Sequence, residues 1–303
     1  MKKVTLIDLN YHELRLQVAP ELGGRISRLD ALHEGGVRHL FVPIELPDPT
    51  IADYEQRVAA AIGYGGCYPL VPFSNRIARG RFSTQRNQVQ LPTEGLGFPH
   101  AIHGVGCFEA WRVQDLTQAS ITLSLTYTRT MWPWRFHAEQ IITLGDAGMR
   151  AQLSVRNDSD EPMPCGLGFH PYFARPPGTR LLTQTATHWQ IDEDRIPFGS
   201  EPAAGRHNFS QNAPIPVGLD DGYSGWSRCA TLSFSSWGIE VQASELFDHL
   251  ILYTPHHKAV CAVEPVSHRT NAANLPLDQQ LEAGWRYLLP GDTLTGTMHI
   301  RLK

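Results

Sequence analysis

The sequence predicts an all-β protein, and two observations support this fold class. Apolar and polar residues alternate along several short segments, which is the pattern of strands with one buried and one exposed face. Turn-forming residues separate these segments, and the 303-residue chain contains 26 glycines and 22 prolines. Together these two residue types exceed their average share of roughly 12%. Many short strands joined by turns are therefore expected.

The first predicted elements form a hairpin near the N-terminus. Gly23 and Gly24 separate the strand-like segments 14–18 and 26–29, and a glycine pair is a strong hairpin-turn signal. Residues 51–62 are the one segment that fits a helix, although a loop fits them as well. Few or no helices are therefore expected.

Three further segments show the two-residue period of half-buried strands. They are residues 121–128, 149–155 and 294–302, and Gly296 interrupts the last of them. Turn signals follow or precede them at 145–146, 157–158 and 290–292. Strand signals run along the whole chain without a linker, so a single β-domain over residues 1–303 is predicted.

Composition argues against several classes of protein. The chain carries 26 basic and 30 acidic residues, for a net charge of −4, and no basic cluster suggests nucleic acid as a partner. No apolar run approaches ~18 residues, so neither a membrane span nor a signal peptide is expected. Five widely spaced cysteines suggest reduced thiols and a cytoplasmic protein.

Motifs for cofactors and metals are missing from the sequence. No glycine-rich phosphate loop and no nucleophile elbow occurs, so no cofactor is expected. His256 and His257 do not have the spacing of a zinc-binding helix, and no metal is predicted. Distant histidines could still assemble a metal site in a β-fold, which stays a minority alternative. His12, His33, His188 and His207 are expected at the surface.

Two segments supply candidate groups for binding polar ligands. Residues 72–82 read PFSNRIARGRF, and the Arg76 guanidinium after Asn75 could donate several hydrogen bonds to hydroxyl groups. The alternative is an exposed basic turn formed by Arg76, Arg79 and Arg81. His103 precedes a glycine in the segment 101–104, which also suits a structural histidine.

Two other segments supply candidate proton-transfer groups. His170 lies in the segment 166–173, which reads GLGFHPYF. The proline that follows restricts the histidine backbone to extended conformations, and the aromatic neighbours offer faces on which a sugar ring could pack. Glu264 ends the apolar segment 260–264 and precedes Pro265. Burial would raise its pKa toward neutrality and make it a better base, whereas solvation at a strand end is the alternative.

These four segments, in this order, resemble the aldose 1-epimerase (galactose mutarotase) family. The resemblance extends to the early hairpin PELGGRI at 20–26, to Leu219-Asp220 with nearby Tyr223, and to EPVSH at 264–268. It implies a large antiparallel β-supersandwich with an open sugar-binding cleft. It also implies catalysis of anomer interconversion without a cofactor, by a monomer or homodimer.

The resemblance also implies roles for individual residues. His170 corresponds to the family's catalytic acid and Glu264 to its base. Arg76 and His103 correspond to groups that hydrogen-bond the ring oxygen and neighbouring hydroxyls, and Asp220 to the carboxylate that orients the sugar. Asn75 lies beside Arg76 and is included among the substrate-binding candidates.

Two departures from the family pattern leave the substrate open. In the family, a glutamine often lies on the strand before the catalytic glutamate. Here the corresponding segment 250–254 reads LILYT and contains no glutamine. The two glycines that often follow the first histidine are also missing, since Val105 follows Gly104. A hexose-phosphate mutarotase, with arginines such as Arg269 as a phosphate clamp, and a non-catalytic sugar-binding module are the alternatives.

Overall fold

The structure is a computed structural model that describes residues 4–46, 63–93 and 99–303. The helix considered for residues 51–62 lies outside these ranges. The described residues form 26 strands. In chain order, the first thirteen are β1 (Ile7–Tyr11), β2 (Leu14–Ala19), β3 (Arg25–His33), β4 (Gly36–Phe41), β5 (Cys67–Leu70), β6 (Arg76–Ile77), β7 (Arg81–Ser83), β8 (Gln88–Gln90), β9 (Ala101–Ile102), β10 (Arg112–Leu116), β11 (Ser120–Tyr127), β12 (Phe136–Gly145) and β13 (Gly148–Asn157).

The second half of the chain continues with short strands. They are β14 (Met163–Cys165), β15 (Gly168–Ala174), β16 (Arg180–Thr183), β17 (Thr187–Ile191), β18 (Pro197–Pro202), β19 (Ala213–Pro214), β20 (Asp220–Ser224), β21 (Cys229–Ser233), β22 (Gly238–Ala243), β23 (His249–Tyr253), β24 (Val260–Val266), β25 (Arg286–Leu288) and β26 (Thr293–Leu302). Within the described ranges, helical structure is limited to the α-helix Leu277–Gln280 and four 3₁₀ turns, Ala78–Gly80, Gly106–Phe108, Gly205–His207 and Ala272–Asn274.

Two large antiparallel sheets contain most of these strands. The first has eleven strands in the order β1-β2-β3-β5-β15-β24-β23-β20-β17-β18, with β4 attached to β3. The second has nine, in the order β10-β11-β12-β13-β26-β22-β21-β16-β19. One hydrophobic cluster contains buried residues of both sheets, so the sheets pack face to face. The predicted all-β, antiparallel sandwich architecture is confirmed.

The early hairpin is also confirmed. β2 and β3 pair antiparallel, and both glycines in the connection have positive φ, +78° for Gly23 and +63° for Gly24. A side chain at Gly23 would bring its Cβ within 2.1 Å of the Cys107 carbonyl oxygen. Glycine is therefore required both by the backbone conformation and by this close approach.

Most residues on the predicted inner faces of the period-two strands are buried. Ile121, Leu123, Leu125 and Tyr127 are all buried, as the alternation in β11 predicts. In β26, Met298 and Ile300 are buried but Leu302 is 36% exposed, because the strand end extends past the core. All five cysteines lie in described ranges and none forms a disulfide. No helix within those ranges is long and apolar enough to cross a membrane.

The expectation that His188 lies at the surface is wrong. His188 is only 7% exposed, because β17 is paired on both sides, with β18 and with β20. The turn Gly205–His207 also places the ring of His207 against the ring of His188. His207 is itself half-buried, whereas His12 and His33 are exposed as expected.

Candidate functional site

The candidate site begins with two neighbouring strands that bring His170 and Glu264 together. β15 and β24 pair with Gly168 opposite Val266 and Tyr172 opposite Ala262, so the register places His170 opposite Glu264. Side chains directly opposite one another in an antiparallel pair point to the same face and contact each other. His170 Nε2 accordingly lies 3.3 Å from Glu264 Oε1.

Burial favours the neutral form of both members of this pair. His170 is 4% exposed and Glu264 is 1% exposed. Desolvation lowers the pKa of His170 well below 6.5, and the positive charge of Arg25 acts in the same direction. Desolvation likewise raises the pKa of Glu264 well above 4.5, and nearby Asp220 raises it further, while Arg76 acts in the opposite direction. Both shifts favour the state in which His170 is neutral and Glu264 carries a proton.

Aromatic rings fix the orientation of the His170 imidazole. Tyr68 is paired with His170 on β5, and its ring stacks on the imidazole with a centroid distance of 4.6 Å. Tyr172, two residues along β15, stacks at 4.7 Å. The ring of His103 meets His170 edge-on at 5.2 Å. The imidazole thus has little freedom to rotate away from Glu264.

A second pair of groups consists of Asp220, on β20 two strands from Glu264, and Arg76 on β6. Asp220 Oδ2 accepts a hydrogen bond of 3.1 Å from Arg76 Nη2. Pairing of β20 with β23 and of β23 with β24 puts Asp220 in the same cross-strand row as Tyr253 and Ala262. Asp220 therefore points to the same face of the sheet as Glu264.

A short two-stranded ladder positions Arg76 and His103. β6 and β9 pair Arg76 with Ile102, and the His103 backbone N–H donates to the Asn75 carbonyl at 2.9 Å. Asn75 and His103 both have left-handed φ angles, 52° and 63°, and asparagine tolerates this conformation better than most residues. Asn75 Oδ1 also accepts a hydrogen bond of 3.2 Å from Arg76 Nη1.

Three polar atoms of this cluster are buried without a hydrogen-bond partner among the described residues. They are His103 Nδ1, His170 Nδ1 and Glu264 Oε2. An unsatisfied buried polar group costs about 1–3 kcal/mol, and such groups concentrate at sites that bind polar ligands. Burial and the charge of Arg76 lower the pKa of His103 to about 3, so this imidazole is neutral and can either donate or accept.

A family model described as aldose 1-epimerase matches residues 46–301, which is most of the chain. The chain belongs to the aldose 1-epimerase family. Its relatives include the Escherichia coli K12 protein YphB, which is 28% identical over 249 residues, or 78% of this chain and 83% of YphB. YihR of the same organism is 30% identical over 226 residues, or 69% of this chain and 72% of YihR. Both are described as uncharacterized proteins.

Solved structures share the fold of this aldose 1-epimerase family member over almost its whole length. A candidate aldose 1-epimerase from E. coli K12 superposes with a TM-score of 0.83 at 23% identity, covering 99% of each chain. A galactose mutarotase-like protein from Clostridium acetobutylicum gives 0.84 at 19% identity, covering 100% and 99%. At these identities the likeness establishes the galactose mutarotase-like fold, as the sequence resemblance predicts.

The structure brings all six predicted site residues of this family member into one region. Arg76, Asn75 and Asp220 are joined by hydrogen bonds, and His103, His170 and Glu264 by ring and polar contacts. The alternative of an exposed basic turn applies to Arg81, which is exposed and bonded to Gln90, but not to Arg76. Glu264 is buried rather than solvated at a strand end.

Several residues that shape the site are not among the predicted ones. Tyr68 and Tyr172 hold the His170 ring, and Tyr172 could have been found because it lies two residues from His170 on the same strand. His268 Nε2 accepts a 3.0 Å hydrogen bond from the Ser74 backbone N–H, and its Nδ1–H donates to the Arg269 carbonyl at 2.9 Å. His268 thus anchors the segment that begins at Ser74 and carries Asn75 and Arg76.

Proposed function

We propose that this protein is an aldose 1-epimerase that interconverts the α and β anomers of a free hexose or a related aldose. The observation that carries the proposal is the buried pair of His170 and Glu264, with a 3.3 Å separation between Nε2 and Oε1. An acid and a base held side by side on one sheet face can open a hemiacetal ring, because the reaction removes one proton and adds another at nearby oxygens.

In the proposed mechanism the protons balance within the pair. Glu264 takes the proton of the C1 hydroxyl while protonated His170 gives a proton to the ring oxygen, and the bond between C1 and the ring oxygen breaks. The open-chain aldehyde then rotates about the C1–C2 bond, and the two residues return the protons when the ring closes on the other face. The pair holds one proton before and after opening.

Burial of the pair stabilises the stage after ring opening. Ring opening makes His170 neutral and Glu264 protonated, and desolvation favours these neutral forms. The charged forms that start the reaction need hydrogen bonds to persist in a buried site. The hydroxyl groups of a bound sugar can supply them to Glu264 Oε2 and His170 Nδ1, which lack partners among the described residues.

Arg76, Asp220, Asn75 and His103 are the proposed sugar-binding groups. Arg76 retains further N–H groups beside those bonded to Asp220 and Asn75, and Asp220 can accept hydrogen bonds from vicinal hydroxyls. The position beside Glu264 on β23 is Ile251, which offers no hydrogen bond to a hydroxyl group. The Asp220 carboxylate offsets the charge of Arg76. Arg81 donates to Gln90 and Arg269 to the Gly199 carbonyl, so these contacts favour an uncharged sugar over a hexose phosphate.

Polarimetry of freshly dissolved α-D-glucose and α-D-galactose tests this proposal. The native protein should speed the approach to anomeric equilibrium, and Glu264→Gln and His170→Asn should slow it by at least about 100-fold, the usual contribution of one positioned acid or base. The control is His39→Gln, which alters an exposed histidine outside the site whose Nδ1 lies 2.7 Å from Oδ1 of the buried Asp30. Sugar binding without faster anomer exchange would support the non-catalytic binding module instead.

A further inference from the structure

A second cluster of ionisable groups lies on the opposite face of the strand that carries Asp220. Asp221 follows Asp220 on β20, so its side chain points to the other side of the sheet. His188 on the adjacent strand β17 and His207 on the turn Gly205–His207 meet it there. The cluster does not depend on the proposed function, because the sugar-site groups occupy the other face.

The spacing of these three groups fits a metal ion of the zinc class. Asp221 Oδ1 lies 3.5 Å from His188 Nε2, and Asp221 Oδ2 lies 3.6 Å from His207 Nδ1. The candidate ligand atoms all lie within 4.8 Å of one another. Ligands about 2.0–2.1 Å from a tetrahedral zinc ion are separated from each other by about 3.3–3.4 Å. The three ligand atoms are therefore close enough to share one ion once the His207 ring has reoriented.

His188 supplies an independent sign of a ligand. This residue is 7% exposed, and both of its ring nitrogens are buried without a hydrogen-bond partner among the described residues. Its Nε2 is directed to Asp221, and its Nδ1 lies 3.5 Å from Glu201 Oε1 on β18. A histidine that binds a metal through one nitrogen usually donates the other N–H to a carboxylate, which fixes the ring. Glu201 is placed for that function.

We propose that His188, His207 and Asp221 bind one divalent transition-metal ion of the zinc class, with solvent as the fourth ligand. This revises the prediction of no metal made from motif spacing, since the ligands come from two strands and a turn. The rings of His188 and His207 are stacked at 3.6 Å and 14°, whereas a metal lies in the plane of each imidazole ligand. His207 must therefore rotate out of the stack and away from Tyr223 Oη, 3.2 Å from its Nδ1.

The proposed ion would act as a cross-link between elements near the edge of the first sheet. It would connect β17, β20 and the turn Gly205–His207, and ligands that bind only the folded state stabilise it. Zinc should therefore raise the Tm of metal-free protein, and a chelator should reverse the increase. Imidazole and carboxylate donors also suit Co²⁺ and Ni²⁺, so cobalt can serve as a spectroscopic probe.

The test is calorimetric titration of chelator-treated protein with zinc chloride, combined with visible absorption on titration with cobalt. We expect one zinc ion per chain and cobalt bands typical of four-coordinate nitrogen and oxygen ligation. His207→Gln on the half-buried turn and isosteric Asp221→Asn should both abolish saturable binding. Glu201→Gln should weaken it about 10–100-fold, as loss of an orienting carboxylate typically does.

His39→Gln is the matched control, because His39 and Asp30 form a pair with no third candidate ligand among the described residues. It should leave zinc affinity unchanged. Thermal melts without metal establish that each variant is folded before it is titrated. Absence of saturable binding at millimolar zinc would overturn the proposal, and so would binding that survives unchanged in folded His207→Gln and Asp221→Asn.

Discussion

His170 and Glu264 face each other across the pairing of β15 and β24, with His170 Nε2 3.3 Å from Glu264 Oε1. Both are almost completely buried, and burial shifts the pKa of each toward its neutral form. A buried acid and base that are unsatisfied in the free protein cost stability, and enzymes retain such groups for their chemistry. Stability and activity should therefore respond in opposite directions to substitution here.

Glu264→Gln should stabilise the protein at neutral pH while slowing the proposed reaction. The folded-state pKa of Glu264 is raised by burial, so its contribution to stability is fully present below pH ~4.5 and is lost as the pH rises toward the folded-state value. Glutamine has the same shape and does not titrate. The Tm difference between variant and native protein should thus grow from pH 5 to pH 8, measured by thermal denaturation in matched buffers.

A constant Tm difference across this pH range would contradict the assignment of a protonated Glu264 in the folded state. Asp248→Asn is a suitable control, because its carboxylate is 54% exposed and forms a surface pair with Arg228. Surface ion pairs contribute little to stability, so this variant should show no such growth in its Tm difference.

Substitution of Asp220 and of Arg76 should shift the alkaline limb of the rate profile in opposite directions. The proposed mechanism requires one proton on the pair, so loss of the Glu264 proton ends activity at high pH. Asp220 raises the pKa of Glu264 and Arg76 lowers it. Asp220→Asn should therefore move the alkaline limb of kcat/KM to lower pH, and Arg76→Met should move it to higher pH.

The shape of this pH profile can be read even if both variants bind sugar weakly, since it does not depend on the absolute rate. Polarimetric rates at a series of pH values provide the measurement. Arg81→Gln is the control, because Arg81 is exposed and its partner is Gln90. Shifts of the same sign in both variants would show that the Arg76–Asp220 pair does not act on Glu264 through its charges.

His268 should affect sugar binding through the position of Arg76. It accepts a hydrogen bond from the Ser74 N–H, at the start of the segment that carries Arg76. His268→Leu leaves a buried N–H unsatisfied, a loss of about 1–2 kcal/mol, and should raise KM roughly tenfold with a smaller change in kcat. His268→Gln can still accept this bond and should retain more affinity. Equal KM values for the two folded variants would rule out this positioning function.

The predictable part of this structure is local. Alternation along residues 121–128 establishes a strand and its buried face, and the pair Gly23-Gly24 establishes a hairpin, because both depend on neighbours in the sequence. By contrast, the order of strands in a sheet depends on long-range pairing. Nothing in the periodicity of β15 shows that β5 and β24 are its neighbours, so the meeting of His170 with Glu264 followed from the family resemblance alone.

The same limit applies to residues within one segment. The sequence does not distinguish Arg76 from Arg81, since both are arginines in the same turn-rich segment. Only the pairing of β6 with β9 and the approach of β20 direct Arg76 to Asp220. His188 has no motif around it, and its burial results from pairing on both sides and from the turn Gly205–His207. Residue types therefore indicate which groups can transfer protons or bind hydroxyls. Only the three-dimensional contacts show which of these residues meet in one site.

Buried neutral histidines should make the fold sensitive to mild acid. Burial lowers the pKa of His103 to about 3 and those of His249 and His268 to about 4. Unfolded histidine titrates near 6.5, so below that pH the unfolded chain takes up protons that the folded protein does not. The contribution of these histidines to the free energy of unfolding is therefore fully present above pH ~6.5. Below that pH, the free energy of unfolding should fall by roughly 1 kcal/mol per pH unit for each such histidine. Denaturant melts between pH 6.5 and 5 measure this slope, and His249→Gln should reduce it by one proton. A slope that His249→Gln leaves unchanged would show that His249 is already charged in the folded protein.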